Sequence, residues 1–286
     1  MRVYGETIHI DYLKNSSLDT SISLLKTEDI DLSQYPIRLV YQNNQERMVS
    51  LLTDAEFSAP YEGQKWIFNV ENIVSFKWNN NENIIYYKLH DEEAYELLEY
   101  WFLHILLPLF YSLNSKYYFF HTGSVLVDDK PILFIAPSFG GKSTMTDYFM
   151  KQGHTLVTDD KLATYIEDGK YMAVPSIPFH RPYRKMEDIG LYVENFASKP
   201  REIHAIYRLT RVDASENIFI KELKGIEKFS RLHEGSEMNF GFAMKNNVPY
   251  LSKLANKIKV FQVDMPWDLD KQEEVYQAIK IHSQNL

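Results

Sequence analysis

Cysteine is absent from the 286 residues of the chain. Its absence excludes disulfide bonds, zinc sites built from thiolates, and cysteine nucleophiles. It does not by itself indicate a cellular compartment.

Basic residues are fewer than acidic ones in this chain. The chain carries 31 Lys and Arg against 39 Asp and Glu, a net charge of -8, with a pI near 5.6. Binding to a nucleic-acid backbone needs a basic surface, so no nucleic acid is expected as an obligate partner. The net charge is still compatible with a local basic groove. The hydrophobic content of 45% and charged content of 24% are ordinary for a soluble globular protein of one large or two smaller domains.

No apolar run is long enough to span a membrane, which takes about 20 apolar residues. The most apolar segment, residues 97–113, is shorter and carries Glu99, His104 and Pro108. We expect a buried core helix that bends or ends at Pro108. The N-terminal segment lacks the basic and apolar regions of a secretory signal. We therefore expect no membrane partner and a cytoplasmic location.

The hydrophobic pattern changes along the chain. Residues 1–90 are β-rich, and residues 91–113 are predicted to be helical. The later elements that bear on function are predicted as strands at 131–135 and 154–158 and as helices at 144–151, 226–234, 247–256 and 270–282. We therefore predict an N-terminal β-rich region over residues 1–90 and a second region of mixed α/β character over residues 91–286.

The segment from Ala136 to Thr144 is the most informative one in the chain. It reads Ala-Pro-Ser-Phe-Gly-Gly-Lys-Ser-Thr and lies between a predicted strand and a predicted helix. A strand, a Gly-rich turn ending in Gly-Lys-Ser, and a helix form the arrangement of a phosphate-binding P-loop. Glycines let the backbone approach an anion, and the helix N-terminus adds partial positive charge. Nucleotide binding is therefore predicted at Ser138, Phe139, Gly140, Gly141, Lys142, Ser143 and Thr144.

Within this loop, Lys142 would reach the terminal phosphates and the Ser143 hydroxyl would ligate Mg²⁺. The full pattern begins with glycine, and Ala136 occupies that position here. The alternative is an ordinary Gly-rich turn with a surface lysine. The strand before the loop and the helix after it favour nucleotide binding.

Two adjacent carboxylates, Asp159 and Asp160, follow the predicted strand at 154–158. If that strand lies beside the loop strand, its C-terminal end brings them close to the phosphates. One carboxylate can hold Mg²⁺ and the other can accept a proton from an attacking hydroxyl, while a cation relieves their repulsion. The alternative is a solvated Asp-Asp turn. His121, at the end of another predicted strand, is either a partner that orients an aspartate or a structural residue.

Three segments together resemble the catalytic core of the HPr kinase/phosphorylase family. They are residues 121–128 (HTGSVLVD), 134–144 (FIAPSFGGKST) and 153–160 (GHTLVTDD). The chain is more closely similar to HPr-kinase-like serine kinases, including enzymes that phosphorylate precursor peptides in lasso-peptide gene clusters. Weaker likenesses follow at residues 178–190, 204–209 and 260–269. The resemblance runs from about residue 90 to the C-terminus.

This resemblance implies an α/β fold shared with ATP-dependent phosphoenolpyruvate carboxykinases. It implies ATP and Mg²⁺ as cofactors, with transfer of a phosphoryl group to a hydroxyl, that of a serine in a small protein or peptide. It is also compatible with a homo-oligomer.

Residue by residue, the resemblance assigns Lys142 to the phosphates and His121 to assistance of the base. Asp159 and Asp160 divide the roles of base and metal ligand. Asp160 is a candidate metal ligand together with Ser143, and the division between the two aspartates stays open.

Two arginines of the segment after the core, Arg181 and Arg184, are candidate contacts for phosphate or a substrate carboxylate. Arginine forks suit both kinds of oxygen ligand. The alternative is that both are exposed loop arginines.

The chain also departs from the family pattern. Ala136 replaces the first loop glycine, and Phe139 is bulky at the loop tip, where it would cover the nucleotide or block it. The glycine-rich segment that follows the core in bifunctional HPr kinases has no clear counterpart, which argues against a true HPr kinase/phosphorylase. A nucleotide-binding regulator without turnover and a small-molecule kinase are the competing interpretations.

Overall fold

Two compact units make up the chain. A computed structural model describes residues 2–10, 22–42, 47–58, 61–80, 82–182, 187–236 and 241–286. Unit 1 comprises Met1–Lys116 with Lys185–Ile189, and unit 2 comprises Tyr117–Arg184 with Gly190–Leu286. Each unit contains a sheet and helices, so the protein is of mixed α/β type.

The described strands of unit 1 form one eight-stranded sheet. Its strands are β1 (Arg2–Val3), β2 (Glu6–Ile10), β3 (Ile22–Lys26), β4 (Ile37–Gln42), β5 (Met48–Thr53), β6 (Lys65–Val70), β7 (Val74–Asn79) and β8 (Ile84–Leu89). They lie in the order β1-β2-β3-β8-β7-β6-β5-β4. Strand β3 runs parallel to β2 and to β8, and the other neighbouring pairs are antiparallel.

A helical segment follows β8 and packs on this sheet. It consists of α1 (Tyr95–Tyr100), a π-helix (Trp101–Leu106) and α2 (Leu107–Leu113). The helix does not end at Pro108, because the π-helical stretch places this proline in the first turn of α2, where a missing N–H is tolerated. Ring contacts join Phe76 to Phe102 at 6.1 Å and Phe68 to Trp101 at 6.2 Å. The division between units therefore falls at residue 116, whereas the sequence predicts a boundary near residue 90.

The described residues of unit 2 form three sheets. Its strands are β9 (Tyr118–His121), β10 (Gly123–Val127), β11 (Lys130–Ile135), β12 (Leu156–Thr158), β13 (Lys161–Glu167), β14 (Lys170–Val174), β15 (Phe179–His180), β16 (Leu191–Tyr192), β17 (Arg201–Glu202), β18 (Ala205–Val212), β19 (Phe219–Glu222) and β20 (Val260–Pro266). The largest sheet has the order β12-β10-β11-β18-β20-β19. The smaller ones have the orders β17-β14-β13-β9 and β15-β16.

The neighbours of β11 differ from the sequence-based expectation. Strand β10 pairs antiparallel with one edge of β11, and β18 pairs parallel with the other edge. The expectation that the strand before Asp159 lies beside the loop strand is therefore wrong, because β10 separates β12 from β11. Strand β12 pairs antiparallel with β10, so it runs in the same direction as β11. The C-terminal ends of β11 and β12 consequently lie at the same edge of the sheet.

Helices cover both faces of this largest sheet. They are α3 (Lys142–Lys151), α4 (Gly225–Gly235), α5 (Gly241–Lys257) and α6 (Gln272–Gln284). On β11, Ile132 and Phe134 pack in one cluster with residues of α3 and α6, whereas Leu133 and Ile135 pack in another with residues of α4 and α5. Burial on both faces explains why β11 is apolar almost without interruption.

The remaining regular elements are short. They are 3₁₀-helices at Leu32–Gln34, Glu92–Ala94 and Leu269–Lys271. In the part of the chain that the structure describes, no helix has the length and apolar character needed to cross a membrane.

Candidate active site

The Gly-rich loop joins β11 to α3 in unit 2. Strand β11 ends at Ile135, and α3 begins at Lys142 with Gly141 as its N-cap residue. Gly141 has a φ of 95°, in the left-handed region that favours glycine, and makes no side-chain cap. The first N–H groups of a helix have no partner within it, so those of α3 are suited to bind an anion.

Ala136 and Gly140 approach each other closely within the loop. A Cβ added at Gly140 would lie 2.6 Å from the Cβ of Ala136 and 2.8 Å from the carbonyl oxygen of Pro137. That same oxygen accepts a hydrogen bond from the Gly140 N–H at 2.9 Å. The tight turn therefore leaves no room for a side chain at position 140. Alanine fits in place of the expected first glycine because its neighbour across the turn is glycine.

The side chain of Lys142 is buried and turns back towards the loop. Its Nζ donates hydrogen bonds to the carbonyl oxygens of Ala136 at 2.8 Å and Pro137 at 3.4 Å. The Thr146 hydroxyl donates to the Lys142 carbonyl oxygen at 3.0 Å. These contacts hold the ammonium group beside the loop, where a P-loop lysine meets phosphate oxygens.

A cavity of about 280 Å³ lies beside the loop. We call it the loop cavity, and its lining residues are Phe139, Gly140, Gly141, Lys142, Ser143, Thr144, Pro182 and Arg211. Of the seven residues predicted to bind nucleotide, Ser138 alone stands outside this lining, at an exposed position. Backbone amides, an ammonium and a guanidinium together suit a polyanion.

Phe139 stands at the rim of the loop cavity. Its φ of 61° is left-handed, which is unusual for a bulky residue. The side chain is 77% exposed, so the ring leaves the cavity open instead of filling it. The sequence-based concern that this ring blocks the site does not apply to the conformation seen here.

Arg211 approaches the loop cavity from the end of β18. Its Cζ lies 3.2 Å from the centroid of the Trp267 ring, a cation–π contact that orients the guanidinium. Desolvation lowers the pKa of Arg211 from its ordinary value. The group keeps its charge at neutral pH, because the ordinary value for arginine is far above 7.

Asp159 follows β12 and is buried, with 3% of its side chain exposed. Its Oδ2 accepts a hydrogen bond from the Arg181 N–H at 2.8 Å and lies 2.8 Å from Nδ1 of His180. Nε2 of His180 lies 3.4 Å from Oδ1 of Asp147 on α3. The other oxygen of Asp159, Oδ1, is buried without a hydrogen-bond partner in the described residues. A buried carboxylate oxygen of this kind calls for a cation or a donor group.

Asp160 is more accessible, with 22% of its side chain exposed. Its Oδ1 lies 3.0 Å from Nδ1 of His121, and its Oδ2 lies 3.6 Å from Nη1 of Arg181. The Asp160 carbonyl oxygen accepts a hydrogen bond from the Thr122 N–H at 2.9 Å. The Thr122 hydroxyl donates to the Phe134 carbonyl oxygen at 2.8 Å. Thr122 thus ties the aspartate pair to β11, the strand that carries the loop.

The candidate residues fall into two groups in unit 2. His121, Asp159, Asp160 and Arg181 form one cluster through direct contacts. Lys142, Ser143 and the glycines belong to the loop. His180 and Thr122 join the cluster to α3 and to β11, respectively. Arg184 lies outside the described residues.

Sequence reasoning missed His180 and Arg211 as members of the site. His180 directly precedes Arg181 in a segment already singled out, so a histidine beside a candidate arginine was an available signal. No sequence signal pointed to Arg211, because a single arginine near a strand end is an ordinary surface feature.

The donor groups fit a magnesium ion that is shared with a nucleotide. Among the described residues, no group of three or more His, Asp or Glu is placed to hold a metal ion by itself. Mg²⁺ is usually bound through one or two carboxylates together with waters and substrate phosphates. The Ser143 hydroxyl and the unpartnered Oδ1 of Asp159 are oxygen donors of the kind that it prefers.

The chain matches no family model and no curated protein. Among solved structures, the HPr(Ser) kinase/phosphatase from Coxiella burnetii is similar, with 13% sequence identity and a TM-score of 0.37. The match covers 58% of this chain and 97% of that chain. These values mark a distant likeness in fold, and the function proposed below therefore rests on the loop and its neighbouring side chains.

Proposed function

We propose that this protein is an ATP-dependent phosphotransferase of the HPr-kinase-like type. It transfers the γ-phosphoryl group of ATP to a hydroxyl, that of a serine in a small protein or peptide. The observation that carries the proposal is the loop between β11 and α3, with Asp159 and Asp160 following the parallel-running β12 at the same edge of the sheet.

The loop residues act by positioning and by neutralising charge. The N–H groups at the start of α3 bind phosphate oxygens, and the Lys142 ammonium meets the terminal phosphates. Ser143 and Asp159 would hold Mg²⁺, which would offset the charge of the nucleotide phosphates. Arg211 adds a fixed positive charge at the cavity wall. Such preorganised charge supplies most of the rate acceleration in enzymatic phosphoryl transfer.

Asp160 is the general base in this proposal. It is the more exposed aspartate and it pairs with His121, the residue that the family resemblance assigns to assistance of the base. It accepts the proton of the acceptor hydroxyl while the hydroxyl oxygen bonds to the γ-phosphorus. The bond from that phosphorus to the β–γ bridging oxygen breaks, and ADP departs. Arg181, near Asp160, contacts the incoming phosphate or substrate.

The test is the Lys142→Ala variant. We expect it to fold, to bind ATP·Mg²⁺ much more weakly in calorimetry, and to lose ATP turnover. Lys130→Ala, which removes an exposed lysine of β11, is the matched control and should behave like the wild type. Wild-type turnover in Lys142→Ala would refute the assignment.

The acceptor is sought by comparing phosphopeptides from cells with the wild-type protein and with Lys142→Ala. A phosphoserine present only with the wild type supports the kinase. ATP binding without transfer to any peptide, protein or small molecule would instead identify a nucleotide-binding regulator, the competing interpretation that the loop sequence raised at Ala136 and Phe139.

A further inference from the structure

A second pocket, of about 210 Å³, adjoins the loop cavity in unit 2. We call it the apolar pocket, and residues that line it include Gly141, Thr144, Met265, Trp267, Leu269 and Val275. The first two also line the loop cavity, so the two spaces share a wall. A ligand whose charged part lies at the start of α3 can therefore extend an apolar part into this pocket.

Large apolar side chains are unusually exposed at the mouth of the apolar pocket. Trp267 is 53% exposed and Leu269 is 74% exposed. Two such neighbours beside a pocket mark a binding surface more often than scattered apolar residues do.

The segment that carries these side chains is held in place by several contacts. The Trp267 N–H donates to the Val212 carbonyl oxygen at 3.0 Å, and the Asp268 side chain accepts from the Asp270 N–H at 3.0 Å. The Trp267 ring stacks on the guanidinium of Arg211, a residue that also lines the loop cavity. The aromatic ring is therefore oriented in advance, and the same contact links the two cavities.

We propose that the apolar pocket receives the base of the nucleotide whose phosphates lie in the loop cavity, a step that rests on the proposed function. Planar bases stack on aromatic and apolar side chains whatever their edge groups are. The polar side chains beside these apolar ones have contacts of their own: Oδ1 of Asp268 accepts from the Asp270 N–H, and the Gln272 amide nitrogen donates to the Thr144 carbonyl oxygen at 3.3 Å. Stacking alone does not distinguish the two purines, so we expect both ATP and GTP to bind.

The test compares three ligands in calorimetric titrations with the full chain: ATP, GTP and inorganic tripolyphosphate, each with Mg²⁺. Tripolyphosphate carries the phosphates without a base. We expect Leu269→Ala and Trp267→Ala to weaken ATP and GTP binding by about fivefold to tenfold. We expect Leu269→Ala to leave tripolyphosphate binding unchanged. Trp267→Phe keeps a ring and should keep ATP affinity.

The control is Ile226→Ala, which removes an apolar side chain that is 82% exposed on α4. It should match the wild type with all three ligands. Wild-type ATP affinity in both Leu269→Ala and Trp267→Ala would show that the base lies elsewhere, while weak ATP binding by Lys142→Ala would still support the loop. Equal weakening of ATP and tripolyphosphate by Leu269→Ala would also overturn the proposal. Failure of the wild type to bind any of the three ligands would reject the loop and the pocket together.

Discussion

Nδ1 of His180 lies 2.8 Å from Oδ2 of Asp159, and both side chains are at least nine-tenths buried. The imidazole also lies 3.4 Å from Asp147 on α3, so one histidine joins the strand end that carries Asp159 to the helix that follows the loop. Removing one partner from a buried polar contact leaves the other partner's charge or polar atom buried without a compensating interaction. His180 is thus placed to fix the position of Asp159 relative to α3.

We predict that His180→Ala destabilises the protein by about 1–3 kcal/mol, because the Asp159 carboxylate stays buried with one partner fewer. Asp159→Asn removes the charge that His180 faces. The double variant should therefore be destabilised by less than the sum of the two single changes, with a coupling of about 0.5–3 kcal/mol. Urea unfolding of the four proteins of this cycle measures the coupling. Strict additivity would mean that the contact contributes nothing.

A second prediction separates the roles of the two aspartates. Asp160→Asn should lower kcat by about 100- to 10,000-fold, because the acceptor hydroxyl loses its base, while ATP·Mg²⁺ affinity is kept. Asp159→Asn should instead raise the Mg²⁺ concentration needed for half-maximal activity, because a cation loses a charged oxygen donor. Steady-state kinetics over a range of Mg²⁺ concentrations measures both effects.

The matched control for these variants is Asp168→Asn, at an exposed turn position with a left-handed φ of 50° that asparagine tolerates. It should retain wild-type kinetics. If Asp160→Asn changed only the Mg²⁺ requirement and Asp159→Asn only kcat, the two assignments would have to be exchanged.

Local pattern predicted the elements around the loop well. The strand predicted at 131–135 is observed as Lys130–Ile135, and the helix predicted at 144–151 is observed as Lys142–Lys151. Both have strong local signals, namely an apolar run bounded by turns and a Gly-Lys-Ser helix start.

The order of the strands in the sheet was not predicted in the same way. The turn at Asp128 and Asp129 folds β10 back onto β11, and this hairpin and β18 occupy the two edges of β11, so β12 pairs with β10 instead.

The partners within the site could not be predicted in the same way. The contacts of His180 with Asp159 and Asp147 bring together three segments, and no local periodicity encodes their distance. The same is true of Arg211, which a cation–π contact with Trp267 directs to the loop cavity. Residue types and spacing predicted which groups have suitable chemistry, whereas tertiary packing determines which of them meet.

A third prediction concerns Ala136 and Gly140. Gly140→Ala should cost about 1–3 kcal/mol of stability and weaken ATP binding, because its methyl group would lie 2.6 Å from the Ala136 methyl group. Ala136→Gly should retain binding. The double variant should recover part of the loss, since the 2.8 Å approach to the Pro137 carbonyl oxygen persists. Thermal unfolding measures the stability of the variants, and ATP titration measures their affinity. A double variant with the same stability and ATP affinity as Gly140→Ala would rule out the proposed clash with Ala136.

The last prediction tests the strained Phe139 at the loop tip. Its left-handed φ of 61° costs a bulky residue roughly 1 kcal/mol, and asparagine adopts this conformation more readily. Phe139→Asn should therefore be more stable than Phe139→Ala, which removes the ring but keeps the free-energy cost of the left-handed φ.

The same two variants also test the role of the ring in ATP binding, because both lose it. If the ring covers the bound phosphates, both should change ATP affinity equally, whereas a change in Phe139→Asn alone would assign the effect to the backbone of the loop. Equal melting temperatures for the two variants would contradict the strain.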